Sequence, residues 1–110
     1  MKKIFLLLGL VLILTGCTPV AKPGTPATAG NSQTIYTFEQ VRVASSSSKC
    51  WTIIQGKVYD LTGFINQHPG GSEMIVKLCG QDGTTAFMAK HGGQTNAEQA
   101  LVNLQIGVFK

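Results

Sequence analysis

Only two histidines occur in these 110 residues, and each leads within two positions into a pair of glycines. His68 is followed by Pro69-Gly70-Gly71, and His91 by Gly92-Gly93. Both are read as lying in glycine-containing loops flanked by helices. Proline fixes the backbone direction after the ring, and glycine lets the chain approach a flat body closely and adopt positive φ. Two imidazoles offered from opposing loops can coordinate a metal from both faces of a macrocycle, with the intervening helices as pocket walls. A lone histidine would be read as a satisfied or surface side chain. Two in this setting argue for ligands.

Around the pair the pattern is α+β. Ile35-Tyr36-Thr37 suits a short strand, after which Thr37 can cap a helix from Phe38 to about Ala44 with Glu39 and Gln40 in its first turn. Ser45–Ser48 is read as a polar loop. Cys50-Trp51-Thr52-Ile53-Ile54 and Lys57-Val58-Tyr59-Asp60-Leu61 are β-favouring runs joined by Gln55-Gly56, which predicts a hairpin. A brief helical turn through Phe64 then leads to His68. Three short helices are expected next: Ser72–Leu78, one capped by Asp82 and running through Phe87, and one capped by Asn96 and running to about Asn103. Gln105–Val108 closes the layout as a strand.

The ordered set Trp51, Ile54, Val58-Tyr59-Asp60-Leu61-Thr62, Phe64, His68-Pro69-Gly70-Gly71, Gly80, Asp82, Thr84, Phe87, His91 and Ile106-Gly107 resembles the cytochrome b5 haem domain. The resemblance runs from about Ile35 to Val108. It implies a cytochrome b5-like α+β fold, a small mixed sheet with short helices around a pocket for one non-covalent haem b. It also implies His68 and His91 as axial ligands, with Phe64, Ile75, Phe87, Ile54 and Leu78 lining the pocket and Tyr59 and Trp51 in the core beyond it. The plain alternative for each lining residue is an ordinary core position.

Three departures from the family pattern matter. Phe87 and His91 are one residue closer than in the commonest animal members, and the stretch from His91 to Ile106-Gly107 is slightly longer. The acidic residues usual around the haem edge are mostly missing: Glu73 and Asp82 remain, while Lys77 and Lys90 are positive. Partner identity therefore does not carry over with the resemblance.

The first sixteen residues form an address. Lys2 and Lys3 precede an apolar run from Ile4 to Leu14, too short for the roughly 20 residues a bilayer span requires. It closes on Leu14-Thr15-Gly16-Cys17, which resembles the bacterial lipobox. That resemblance implies a signal peptide over residues 1–16, lipidation of Cys17 and an exported protein lipid-anchored to a bacterial membrane. Thr18 in place of Asp implies the outer membrane, on its periplasmic side, where the source has one. The alternative for the segment is a buried or tail-anchoring apolar helix. Residues 17–34 are rich in Thr, Pro, Ala and Gly, with Pro19, Pro23 and Pro26, and read as a flexible tether. The haem-binding domain is thus placed at 35–110.

Hydrophobic residues make up 44% of the chain, which excludes a disordered protein, although many lie in the apolar leader. What remains is close to the size at which a protein core alone is marginal and a cofactor helps. Setting aside Lys2 and Lys3 reduces the formal charge from +4 to +2. Without Lys/Arg clusters, no nucleic-acid partner is expected.

With Cys17 lipidated, Cys50 and Cys79 remain. Neither lies in a C-x-x-C-H motif, so c-type haem attachment is not indicated. Export favours a bridge between them, closing a loop of about 30 residues at a gain on the order of 3 kcal/mol. Two buried free thiols are the alternative.

Bis-histidine ligation fills both axial positions of an iron, which disfavours catalysis and leaves outer-sphere electron transfer. No P-loop, dinucleotide fingerprint or Ser-His-Asp set is visible. The expectation is an electron carrier, not an enzyme, monomeric and serving a redox partner protein. A haem-delivery protein and a non-redox ligand-binding module of the same fold are the rival readings.

Overall fold

The computed structural model describes Gly16 and residues 33–110. The expected signal peptide, Cys17 and most of the tether lie outside the described residues. The element order is β1 (Ile35–Tyr36), α1 (Phe38–Arg42), β2 (Ser45–Ser46), β3 (Lys49–Ile54), β4 (Lys57–Asp60), a 3-10 helix (Thr62–Gln67), α2 (Ser72–Val76), β5 (Gln81–Asp82), α3 (Thr84–His91), α4 (Thr95–Val102) and β6 (Gln105–Phe109). The strands form one mixed sheet in the order β1-β6-β4-β3-β2, with β5 also pairing with β3.

Most local expectations hold, and the exceptions have physical causes. Thr37 caps α1 through a capping box: its Oγ1 accepts from the Gln40 N–H, and its own N–H donates to Gln40 Oε1. The β3–β4 hairpin turns at Gln55-Gly56, with φ of 50° and 73°, the two positive values a tight hairpin turn requires. Four features differ. Ser45-Ser46 is not loop but pairs with Lys49-Cys50, because an anchored β3 offers free backbone groups on that edge. The helix after Gly71 stops at Val76, two residues early. Asp82 does not cap the next helix as N-cap; it sits in β5, and its Oδ1 accepts from the Thr84 N–H just inside α3. Asn96 lies inside α4, where its Oδ1 accepts from the adjacent Ala97 N–H, and Gln94 is the N-cap. Regular pairing also starts one residue into the expected tether, where the Thr34 carbonyl accepts from Val108 N–H.

Strand periodicity divides the interior into two cores. Cys50, Ile54 and Tyr59 pack with Leu61, Ile65, Ile75 and Cys79 on one face of the sheet. Ile53 and Val58 pack with Val41 on the other, closed by Tyr36, Trp51, Ile106 and Phe109. The polar residue buried between them, Thr52, donates its hydroxyl to the Gln81 carbonyl of β5 at 2.9 Å, so its burial leaves no unpaired group. Cys50 and Cys79 are joined by a disulfide with Cα atoms 4.6 Å apart, tying β3 to the chain leaving α2.

A polar knot starts the segment that carries His68. Asp60 Oδ1 accepts from both the N–H and the hydroxyl of Thr62, at 2.9 and 2.6 Å. Thr62 Oγ1 in turn accepts from the Cys50 N–H at 2.9 Å. Partial burial on its own would raise the Asp60 carboxyl, but the Thr62 hydrogen bonds outweigh it and hold it below the usual carboxylate range. The Trp51 indole N–H, cross-strand from Asp60, is buried without an acceptor in hydrogen-bonding range and contributes only as a dipole, with Lys49 adding its charge. A depressed folded pKa means this stabilisation is present above the unfolded value near 4 and is lost as pH falls through the folded one. Asp60→Asn is therefore expected to lower stability at pH 7 and to flatten the acid limb of the stability profile. Urea midpoints at pH 7 and pH 3 check this; an unchanged difference between the two would exclude Asp60 as a contributor.

Candidate functional site

The disulfide-linked core opens on one side into a cleft of about 790 Å³. Its floor is Ile54 of β3 with Leu61, and one wall is Ile75 and Leu78 of the α2 segment. His68 and His91 face each other across it, with ring centroids 6.1 Å apart and planes at 85°.

Local sequence explains where each histidine is placed. The 3-10 helix brings His68 to its end, and the His68 N–H donates to the Phe64 carbonyl at 3.1 Å. The chain then reverses through Pro69-Gly70-Gly71, with the Gly71 N–H returning to the His68 carbonyl at 3.0 Å. Gly71 has φ of 94°, and a Cβ on Gly70 would lie 2.7 Å from His68 Cε1. The first glycine gives room for the ring and the second gives the turn its sign. His91 is not in a loop; it is the last residue of α3, with the glycines immediately beyond it. Each imidazole is flanked by a phenylalanine four residues earlier, Phe64–His68 at 5.8 Å and Phe87–His91 at 5.3 Å between centroids. That spacing puts both pairs on one side of their helical turns.

Each Nδ1 has a partner. His68 Nδ1 lies 3.1 Å from the Gly71 carbonyl oxygen, and His91 Nδ1 lies 3.1 Å from Gln94 Oε1. Both partners only accept, so the tautomer that fits has its proton on Nδ1 of each ring, which leaves Nε2 as the nitrogen for a metal. Among the described residues no group of three or more His, Cys, Asp or Glu could hold a metal ion. A metal bound here by two imidazoles must bring its other ligands with it, as a macrocycle does. Two metal–nitrogen bonds of about 2 Å, plus about 1.1 Å from each nitrogen to its ring centroid, require about 6.2 Å between centroids. The observed separation fits a bis-imidazole haem.

The model of the cytochrome b5-like haem/steroid binding domain matches residues 37–110. The chain belongs to the cytochrome b5 family. Soluble cytochrome b558 of Ectothiorhodospira shaposhnikovii is 41% identical over 71 residues, 64% of this chain and 78% of that protein. The solved structure of cytochrome b558 from Ectothiorhodospira vacuolata, a prokaryotic homologue of cytochrome b5, aligns with a TM-score of 0.64 and 38% identity, covering 70% of this chain and 99% of that one. Cytochrome b5 of Candida tropicalis is 40% identical over 77 residues, but the match spans only 59% of its length. With the cytochrome b5 fold comes the family's cofactor, a b-type haem held without covalent attachment. Residues 1–18 match a prokaryotic membrane lipoprotein lipid attachment site. Among the described residues no helix is long and apolar enough to cross a membrane.

Every pocket residue expected from the cytochrome b5 resemblance, Phe64, Ile75, Phe87, Ile54 and Leu78, borders the cleft. Tyr59 and Trp51 lie outside its lining, in the two cores. Sequence reading missed the second wall, Ala97, Ala100 and Leu101 of α4 with Leu104 just beyond. Their spacing of i, i+3, i+4 and i+7 is the apolar stripe of a helix and was available as a signal. Gln94 was also missed, because a glutamine carries no mark of its partner.

Proposed function

We propose that this chain is a membrane-tethered extracytoplasmic b-type cytochrome that carries single electrons through a haem ligated by His68 and His91, and that it is not itself an enzyme. The observation carrying this reading is the facing pair of imidazoles at 6.1 Å, each with Nδ1 hydrogen-bonded to an oxygen acceptor. Bound haem supplies a one-electron ferric/ferrous couple, whose potential depends on its ligands and surroundings. The protein's own contribution is positional. Gly71 and Gln94 hold the rings in the ligating tautomer, and the apolar floor and walls exclude water. Held by both His68 and His91, the iron would offer oxygen and small substrates no open site, and because neither imidazole would need to leave on reduction, little reorganisation would oppose electron exchange.

The lipid-attachment match supports acylation of Cys17 and export. Acyl chains anchor at about 0.8 kcal/mol per buried CH₂, and two or more give stable residence where one does not. In this proposal residues 17–34 act as a tether that lets the 35–110 domain reach a redox partner protein, from which it accepts and to which it passes electrons.

The visible spectrum of the purified protein, oxidised and dithionite-reduced, tests the central claim. A six-coordinate low-spin spectrum in both states, unmoved by carbon monoxide, is expected. A high-spin or carbon monoxide-binding spectrum would overturn bis-histidine electron transfer in favour of haem delivery. Failure to take up haem would leave a non-redox binding module.

A further inference from the structure

Gln94 follows the Gly92-Gly93 turn and is tied back to the end of α3 by three hydrogen bonds. Its N–H donates to the His91 carbonyl at 2.9 Å, its Nε2 donates to the Lys90 carbonyl at 3.2 Å, and its Oε1 accepts from His91 Nδ1 at 3.1 Å. The Lys90 contact decides which way the amide faces. A peptide carbonyl only accepts, so the amide nitrogen turns to Lys90 and the amide oxygen to the imidazole.

The two ligands are thus held by different means. His68 meets the carbonyl of Gly71, a backbone group that side-chain replacement leaves in place. His91, the last residue of α3, takes a side-chain acceptor instead, the Oε1 of Gln94 returning from beyond the glycines. Gly92-Gly93, with φ of 78° at Gly93, turns the chain so that Gln94 arrives there.

We propose that Gln94 is a positioning residue that fixes the tautomer and orientation of His91 and, through the strength of this one hydrogen bond, tunes the reduction potential of the haem. The proposal rests on the bis-histidine reading above. A stronger acceptor at Nδ1 pushes electron density onto the imidazole and favours ferric iron. A weaker one favours ferrous iron. Because the acceptor is a side chain, the potential is adjustable by a single substitution at a position outside the ligand set.

The test is spectroelectrochemical titration of the holoprotein and its Gln94→Glu and Gln94→Leu variants. The potential should fall with Glu and rise with Leu, the two separated by at least about 59 mV, which corresponds to a tenfold change in ferric-to-ferrous preference. A purely structural role would weaken haem retention in both variants without opposite shifts. Asn96→Asp, which adds the same charge at the cleft lining away from His91, controls for charge alone and should shift the potential less than Gln94→Glu. If the Leu variant loses haem, the Glu variant measured against this control decides the question. Potentials equal to wild type, or a Glu shift no larger than the Asn96→Asp shift, would overturn the proposal while leaving low-spin bis-histidine ligation intact. A wild-type spectrum that is high-spin would instead remove the reading beneath it.

Discussion

His91→Ala and His68→Ala are each expected to lose the low-spin six-coordinate spectrum and to bind haem at least roughly 100-fold more weakly, since loss of an outer hydrogen-bond partner alone costs 10–100-fold in comparable sites. Removal of either ring opens one axial position, so the residual haem should become high-spin and bind carbon monoxide. It also leaves a space beside a phenylalanine, Phe64 or Phe87, into which free imidazole fits. Added imidazole should therefore restore the low-spin spectrum in both variants. Titration with haem, with and without imidazole, reads all of this. A low-spin spectrum that survives both substitutions would mean the ligands lie elsewhere.

Removing the disulfide should have the next largest effect. Cys50→Ala with Cys79→Ala releases a loop of about 30 residues, worth about 3–4 kcal/mol in the chain-entropy account. For a domain of this size, each kcal/mol shifts the midpoint by about 4–8 °C, so thermal unfolding should fall by roughly 12–32 °C. The effect should reach the cleft. Cys79 ends the segment bearing Ile75 and Leu78, and Cys50 lies on the strand bearing Ile54, so the bond pins one wall to the floor. If 1.4 kcal/mol of the loss is felt at that wall, haem dissociation accelerates about tenfold. Equal melting temperatures for variant and wild type under non-reducing conditions would show that the bond contributes nothing to the native state.

Much of the site could be read along the chain because the chemistry that shapes it is local. His68-Pro69-Gly70-Gly71 encodes a ring, a fixed direction, a space without Cβ and a positive φ in four consecutive residues. The Thr37 cap, the Gln55-Gly56 turn and the alternating faces of β3 are equally short in range. The four-residue spacing that sets Phe64 beside His68 and Phe87 beside His91 is also local.

What needed the tertiary structure was partnership between groups whose contact depends on several elements at once. Ser45-Ser46 has no strand signal; it pairs because β3 is held in place by β4 and β5. His91 reads as a loop residue beside two glycines, yet α3 continues through it, and its acceptor is a side chain. Gln94 acquires its role when the Gly92-Gly93 turn returns it to His91, and the α4 wall when the chain crosses back over the cleft. The sequence by itself picked out the two histidines, the apolar residues near them in the chain and the lipid-attachment motif. Tertiary structure decided how far apart the imidazoles stand, which cysteines meet and what orients His91, because those depend on distances set by packing and not by position along the backbone.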